Sequence, residues 1–175
     1  MRSLNKNEFI EKVEIRPENI LEGFNNYNNA IITTDKVGNE QIEKDFINFF
    51  VDIFMKSKGN IVDYYGNILN SDEFNRMIST LEDNEKNELI KFRDVSNNNH
   101  IYFEIDSIEL IIILIKLSVR GILFSTFYMV KDNVTIWSNY DYKFVIFFKQ
   151  KGIITDYLNI AKKYNLLIKD IKFEN

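Results

Sequence analysis

Cysteine is absent from this chain, which removes disulfides, thiolate metal sites and cysteine nucleophiles together and suits a reducing compartment. Histidine occurs once, as His100, and proline once, as Pro17. A lone imidazole beside a run of asparagines offers neither a zinc ligand set nor a Ser/His/Asp relay, so His100 reads as a solvated turn residue. The six glycines are scattered, with no GxGxxG, P-loop or glycine-bounded serine. Nucleotide binding therefore has no motif to stand on, and no cofactor is expected. Alanine is found only at Ala30 and Ala161, while asparagine, isoleucine, lysine and phenylalanine abound, the bias of an AT-rich coding sequence. A long apolar run is missing too. Residues 108–119, IELIIILIKLSV, reach only about half the ~20 residues of a spanning helix and carry Glu109 and Lys116, so they read as a buried core helix. The beginning, MRSLNKNEFIEKVE, sets charges where a secretory signal needs its apolar core, which gives the expectation of a cytoplasmic protein without a membrane partner.

What is present describes an ordinary globular chain. Hydrophobic residues make up 45% of the 175 and charged residues 27%, a balance that fits one domain able to bury a sizeable core. The net charge of −4 is uneven. Residues 1–95 hold 12 basic and 18 acidic side chains, and residues 96–175 hold 10 and 8. No basic stripe of the kind that nucleic-acid binding requires is evident. An acidic surface instead favours a basic protein partner, by steering and by complementary potential.

Periodicity predicts an α+β fold in which residues 1–95, mainly helical and acidic, pack on the mainly antiparallel sheet of residues 96–175. Residues 39–56 make the strongest helix, with Ile42, Phe46, Phe49, Phe50, Ile53 and Phe54 on one stripe. A short helix is expected from Pro17 to a stop at Gly23, and another over 72–81 capped by Ser71. Residues 82–88 continue as a solvated acidic helix. The asparagines at 97–99 suggest a hairpin between strands at 90–95 and 101–105. The apolar helix 108–119, capped by Asp106 or Ser107 and stopped by Gly121, then forms a crossover to the next strand. Residues 123–148, LFSTFYMVKDNVTIWSNYDYKFVIFF, read as a meander with turns at 131–133 and 138–141. A helix at 153–164 and a strand at 166–173 complete the chain. In the meander Phe144, Ile146 and Phe148 alternate with Val145 and Phe147, so both faces of the sheet should be covered.

Catalytic material is sparse. Glu104 and Asp106 alternate on a strand as two metal ligands might, but charges at strand ends are common and the nearby lysine that metal-dependent nucleases often place on the following strand position is missing. No catalytic, cofactor or metal residue is assigned. Trp137 is read as structural. The densest acidic cluster, Glu82, Asp83, Glu85 and Glu88, together with the turn residue Tyr140, is the candidate partner-binding surface.

The segment SVRGILFSTFYMVKDNVTIWSNYDYKFVIFF, residues 118–148, resembles stretches of small immunity proteins from bacterial polymorphic toxin and contact-dependent growth inhibition systems. The resemblance covers the meander and carries over no functional residue. It implies a cytoplasmic, non-enzymatic protein that neutralises one cognate toxin domain, frequently a nuclease, by covering its active site or substrate surface. Two other readings stand beside it: a metal-dependent nuclease using Glu104 and Asp106, and a non-enzymatic adaptor or anti-defence binding protein.

Overall fold

The computed structural model describes residues 2–96 and 99–174. Its strands are β1 (Arg2–Leu4), β2 (Asn28–Thr33), β3 (Ile61–Asp63), β4 (Tyr102–Glu104), β5 (Thr126–Met129), β6 (Val134–Asn139), β7 (Lys143–Phe148) and β8 (Leu167–Lys172). They form one sheet in the order β1-β4-β3-β5-β6-β7-β2-β8, antiparallel at each junction. The helices are α1 (Lys6–Lys12), α2 (Ile20–Asn26), α3 (Asn39–Lys56), α4 (Ser71–Ile78), α5 (Asp83–Val95), α6 (Ile108–Val119) and α7 (Ile153–Lys163). The α+β class expected from periodicity is the class observed.

Strand alternation divides the sheet into two unlike faces, because successive side chains point to opposite sides. One face, with Ala30, Ile32, Val62, Phe103, Phe127, Ile136, Phe144, Ile146 and Phe148, belongs to the main core, which α3 to α7 complete. The other face carries two smaller clusters. Leu4, Phe9, Val13, Ile61 and Tyr128 form the first, and Ile15, Val145 and Phe147 form the second, with Trp137 partly buried against it. This side is covered by α1, α2 and the segment between them. The expectation of two covered faces holds, but the strongest N-terminal helix, α3, lies on the same side as α6, and the opposite side is closed by residues 5–27.

α6 is buried almost all round, from Leu110 to Val119, which a helix of mainly Ile and Leu between a sheet and other helices must be. The Ser107 hydroxyl accepts the Leu110 N–H at 3.2 Å and so caps it. It joins β4 to β5, two parallel strands with antiparallel β3 between them, so the expected crossover is present. The meander is present as β5, β6 and β7, although β5 begins at Thr126 rather than at 123. Its turns use left-handed backbone at Asn133 (φ 49°), Asp141 (φ 59°) and Tyr142 (φ 55°).

Several expectations need correction. Residues 90–95 are helical, not a strand: Glu85, Leu89 and Phe92 are buried one turn apart, and that spacing of four and three is a helical period. β4 consequently has no hairpin partner there and pairs with β1 and β3. Of the expected asparagine turn, Asn97 and Asn98 lie outside the described residues. The N-terminal half is mainly helical, as expected, and in addition supplies β1, β2 and β3 to the sheet. The cap of α4 is Asn70, whose side chain accepts the Glu73 N–H at 2.9 Å while Glu73 accepts the Asn70 N–H at 3.2 Å, the reciprocal capping box. Pro17 lies before α2, which is capped by Asn19, and Gly23 sits inside that helix rather than at its end.

Gly23 is there for close approach. A Cβ at this position would lie 2.4 Å from the ring of Phe147, so α2 rests directly on the sheet. A second clamp is the Thr135 hydroxyl, which donates to the Ile15 carbonyl, and Lys149 pairs with Glu14 nearby. We predict that Gly23→Ala lowers stability by about 1–3 kcal/mol, the usual cost of overpacking, with the loss read as a lower urea midpoint at unchanged slope. No change in midpoint would mean that α2 can lift from the sheet without cost.

Candidate functional site

The acidic cluster proposed from sequence is split by the fold. Glu85 is buried at 8% exposure and forms an ion pair with Lys116 of α6, while its other carboxylate oxygen accepts the Glu82 N–H at 3.1 Å. Its charge is therefore consumed in joining α5 to α6. Glu82 is exposed at the start of α5. Asp83 is fully open and, among the described residues, pairs with Lys86 on its own helix, at 2.9 Å. Glu88 is half-exposed and approaches Lys91 at 4.0 Å. Glu88 also lines a groove of about 310 Å³ between α5 and α6, whose walls include Asn84, Glu109, Ile112 and Ile113. Glu109 was not singled out as a binding residue from sequence. It joins the acids of α5 only because α6 packs beside that helix.

Tyr140 is 68% exposed in the β6–β7 turn, where its ring meets Phe124 edge-on at 4.6 Å. Glu104, half of the alternative carboxylate pair, is engaged by Arg2 at 3.4 Å and Lys12 at 3.4 Å. Among the described residues, no group of three or more His, Asp or Glu side chains could hold a metal ion. His100 is half-buried rather than solvated, and its carbonyl accepts from the Asn67 amide at 2.8 Å. Among the described residues, no helix is long and apolar enough to cross a membrane.

A second concavity, unforeseen from sequence, lies on the sheet face opposite the main core. It is a groove of about 450 Å³ between α1 and the strands. Its floor is Asp63, 7% exposed, at the end of β3. Tyr102 of β4 is its cross-strand neighbour, and the N–H of Thr126 in β5 donates to Asp63 Oδ1 at 2.5 Å. The Tyr128 phenol lies beside the carboxylate and favours its charged form. The walls are aromatic: Tyr65, Tyr102, Tyr128 and Trp137, with Phe9 from α1. Phe9 stacks on Tyr102 at 3.8 Å and 7° and meets Tyr128 edge-on at 5.0 Å. Lys6, Arg16 and Glu18 border the opening. Trp137 is thus structural on one side, against Val145 and Phe147, and half-exposed to this groove on the other.

Burial pushes the Asp63 carboxyl up to about 6, against the opposing pull of Thr126 and Tyr128. Burial likewise raises the Tyr128 phenol well above its usual range, with the Asp63 charge adding to it. The chemistry on offer is a desolvated carboxylate that ionises near neutrality, ringed by phenols that stay protonated and by flat apolar faces. The signal in the sequence was the acid in IVDYY, a charged residue at the end of an apolar strand and against two tyrosines. Its partners, in α1, β4, β5 and β6, are too distant in the chain to be associated with it by pattern.

Comparison of the chain with models of known protein families, with curated protein sequences and with solved structures finds no match.

Because Asp63 ionises near pH 6 when folded and near 3.8 when exposed, the folded state holds its proton more tightly. Its contribution to stability is full below about pH 4 and is lost as pH rises through 6. The two-unit displacement corresponds to about 3 kcal/mol. Asp63→Asn should therefore be more stable than the parent at pH 7.5, with the advantage shrinking steadily toward pH 4. An advantage independent of pH, measured by urea titration across that range, would show that Asp63 is not desolvated.

Proposed function

We propose that this chain is a non-enzymatic, cytoplasmic immunity protein that binds a basic bacterial toxin domain and covers its active site or substrate surface. The observation that carries the reading is the α5–α6 groove, where Glu88 and Glu109 flank the apolar side chains of Ile112 and Ile113. Apolar floor and acidic border together are complementary to a basic, amphipathic surface: the apolar part provides affinity and the charges provide steering and register. Asp83, whose ion pair with Lys86 is local and exposed, extends the negative field beyond the groove. A nuclease domain is basic where it holds phosphates, so it is a natural complement. The resemblance of residues 118–148 to immunity proteins agrees with this reading. In such a complex the interface should bury on the order of 1,600 Å² in total.

Two measurements test the proposal. Affinity purification of the full chain from its native organism, followed by mass spectrometry, should recover a toxin domain of basic charge, and co-expression should protect a host from that domain. Recovery of a metabolic complex would contradict the reading. With the partner in hand, the combination Asp83→Lys, Glu88→Lys and Glu109→Lys should reduce the association rate by about tenfold or more at low salt and flatten its salt dependence. Glu85 is left intact because its charge is committed to Lys116. Unchanged kinetics would remove the α5–α6 surface from the interface.

A further inference from the structure

The Asp63 groove lies on the opposite side of the sheet from α5 and α6, and it goes beyond the toxin-binding reading. None of the ion pairs among the described residues includes Asp63. It is a buried carboxylate with hydrogen bonds and no counter-ion, an arrangement that costs stability. An asparagine or valine there would avoid that cost. What the arrangement provides is an acceptor at the bottom of an aromatic slot that opens to solvent.

The complement of such a slot is a cation with flat or polarisable faces and donors at its edge. A guanidinium matches on each count: it donates in pairs to a carboxylate, and it stacks on tyrosine and tryptophan rings. A plain anion is disfavoured by the charge on the floor. The opening is of mixed sign. Lys6 and Arg16 are exposed there, and the Arg16 guanidinium is held by the Val13 carbonyl at 2.6 Å and the Glu14 carbonyl at 3.4 Å, so it is tethered to its own loop and does not neutralise Asp63. Glu18 stands beside them. Two cations and one acid at the mouth suit the carboxylate and ammonium of an α-amino acid.

We propose that the groove binds a small basic zwitterion of the chemistry of a free arginine, with its cationic head on Asp63 and its carboxylate toward Lys6 and Arg16. The aromatic walls enclose the stem, and the order of charges from floor to mouth sets its orientation.

Trp137 is the only tryptophan in the chain and lines the groove, so its fluorescence reports occupancy directly. Titration of the full chain with L-arginine at pH 7.5 should change the emission saturably, with a Kd below about 1 mM. Asp63→Asn should raise that Kd about tenfold or more, as loss of a desolvated charge pair does. Tyr65→Ala, at a position 43% exposed, should weaken binding without altering the melting temperature, and it serves if the Asp63 variant is misfolded. Agmatine, which keeps the guanidinium and lacks the carboxylate, should bind more weakly than arginine. Equal binding of the two ligands would overturn the orientation. No saturation at tens of millimolar arginine, equal binding by Asp63→Asn, or saturation by guanosine monophosphate in place of arginine would overturn the site.

Discussion

The two-residue alternation of the central strands β3, β5, β6 and β7 is the constraint on which the rest depends. Each carries large apolar side chains on both sides, so neither side can be left to water. Val62, Phe127, Ile136, Phe144, Ile146 and Phe148 require a helical layer, and α3 to α7 supply it. Ile61, Tyr128, Val145 and Phe147 require a second cover. That cover is a short one, two seven-residue helices and the segment joining them. α1 sits over one end and α2 over the other, the latter with Gly23 pressed onto the Phe147 ring.

The groove left between α1 and the strands is where the chain departs from the most stable solution. Filling it with apolar residues would join the two smaller clusters into one. Instead Asp63 is held there, desolvated, among the rings of Tyr65, Tyr102 and Tyr128. Local conflicts with stability of this kind are expected where a protein keeps a group for binding. The helical layer shows the opposite strategy. Glu85 and Lys116 are both largely buried, but they satisfy one another and fasten α5 to α6, and the charges left outside form the acidic border of a groove. One side of the molecule thus presents negative charge around an apolar floor, and the other hides a single negative charge behind rings.

Sequence reasoning saw the elements that are long and strongly periodic. α3 and α6 stand at the predicted residues, and β6 and β7 follow from alternating β-branched and aromatic residues between left-handed turn positions. It missed β2, because NNAIIT has only three apolar residues and opens on asparagines that read as a turn. It mistook the end of α5 for a strand because Ile90, Lys91, Phe92 and Arg93 taken alone alternate, whereas Glu85, Leu89 and Phe92 taken together keep a helical period. The acidic cluster was half legible: Asp83 and Glu85 look alike in sequence, and only the placement of Lys116 on α6 distinguishes an open charge from a spent one. Of the aromatic groove only the acid in IVDYY left a signal, since its other residues come from α1, the segment after it, β4, β5 and β6 and meet only through the strand order.

The face away from the main core holds an open groove in which a desolvated Asp63 and Trp137 share one small environment. Trp137 emission recorded against pH in the full chain reads that environment. A single transition near pH 6 that disappears in Asp63→Asn is the result predicted. An emission that is flat through that range, or a transition that persists in the variant, would contradict it.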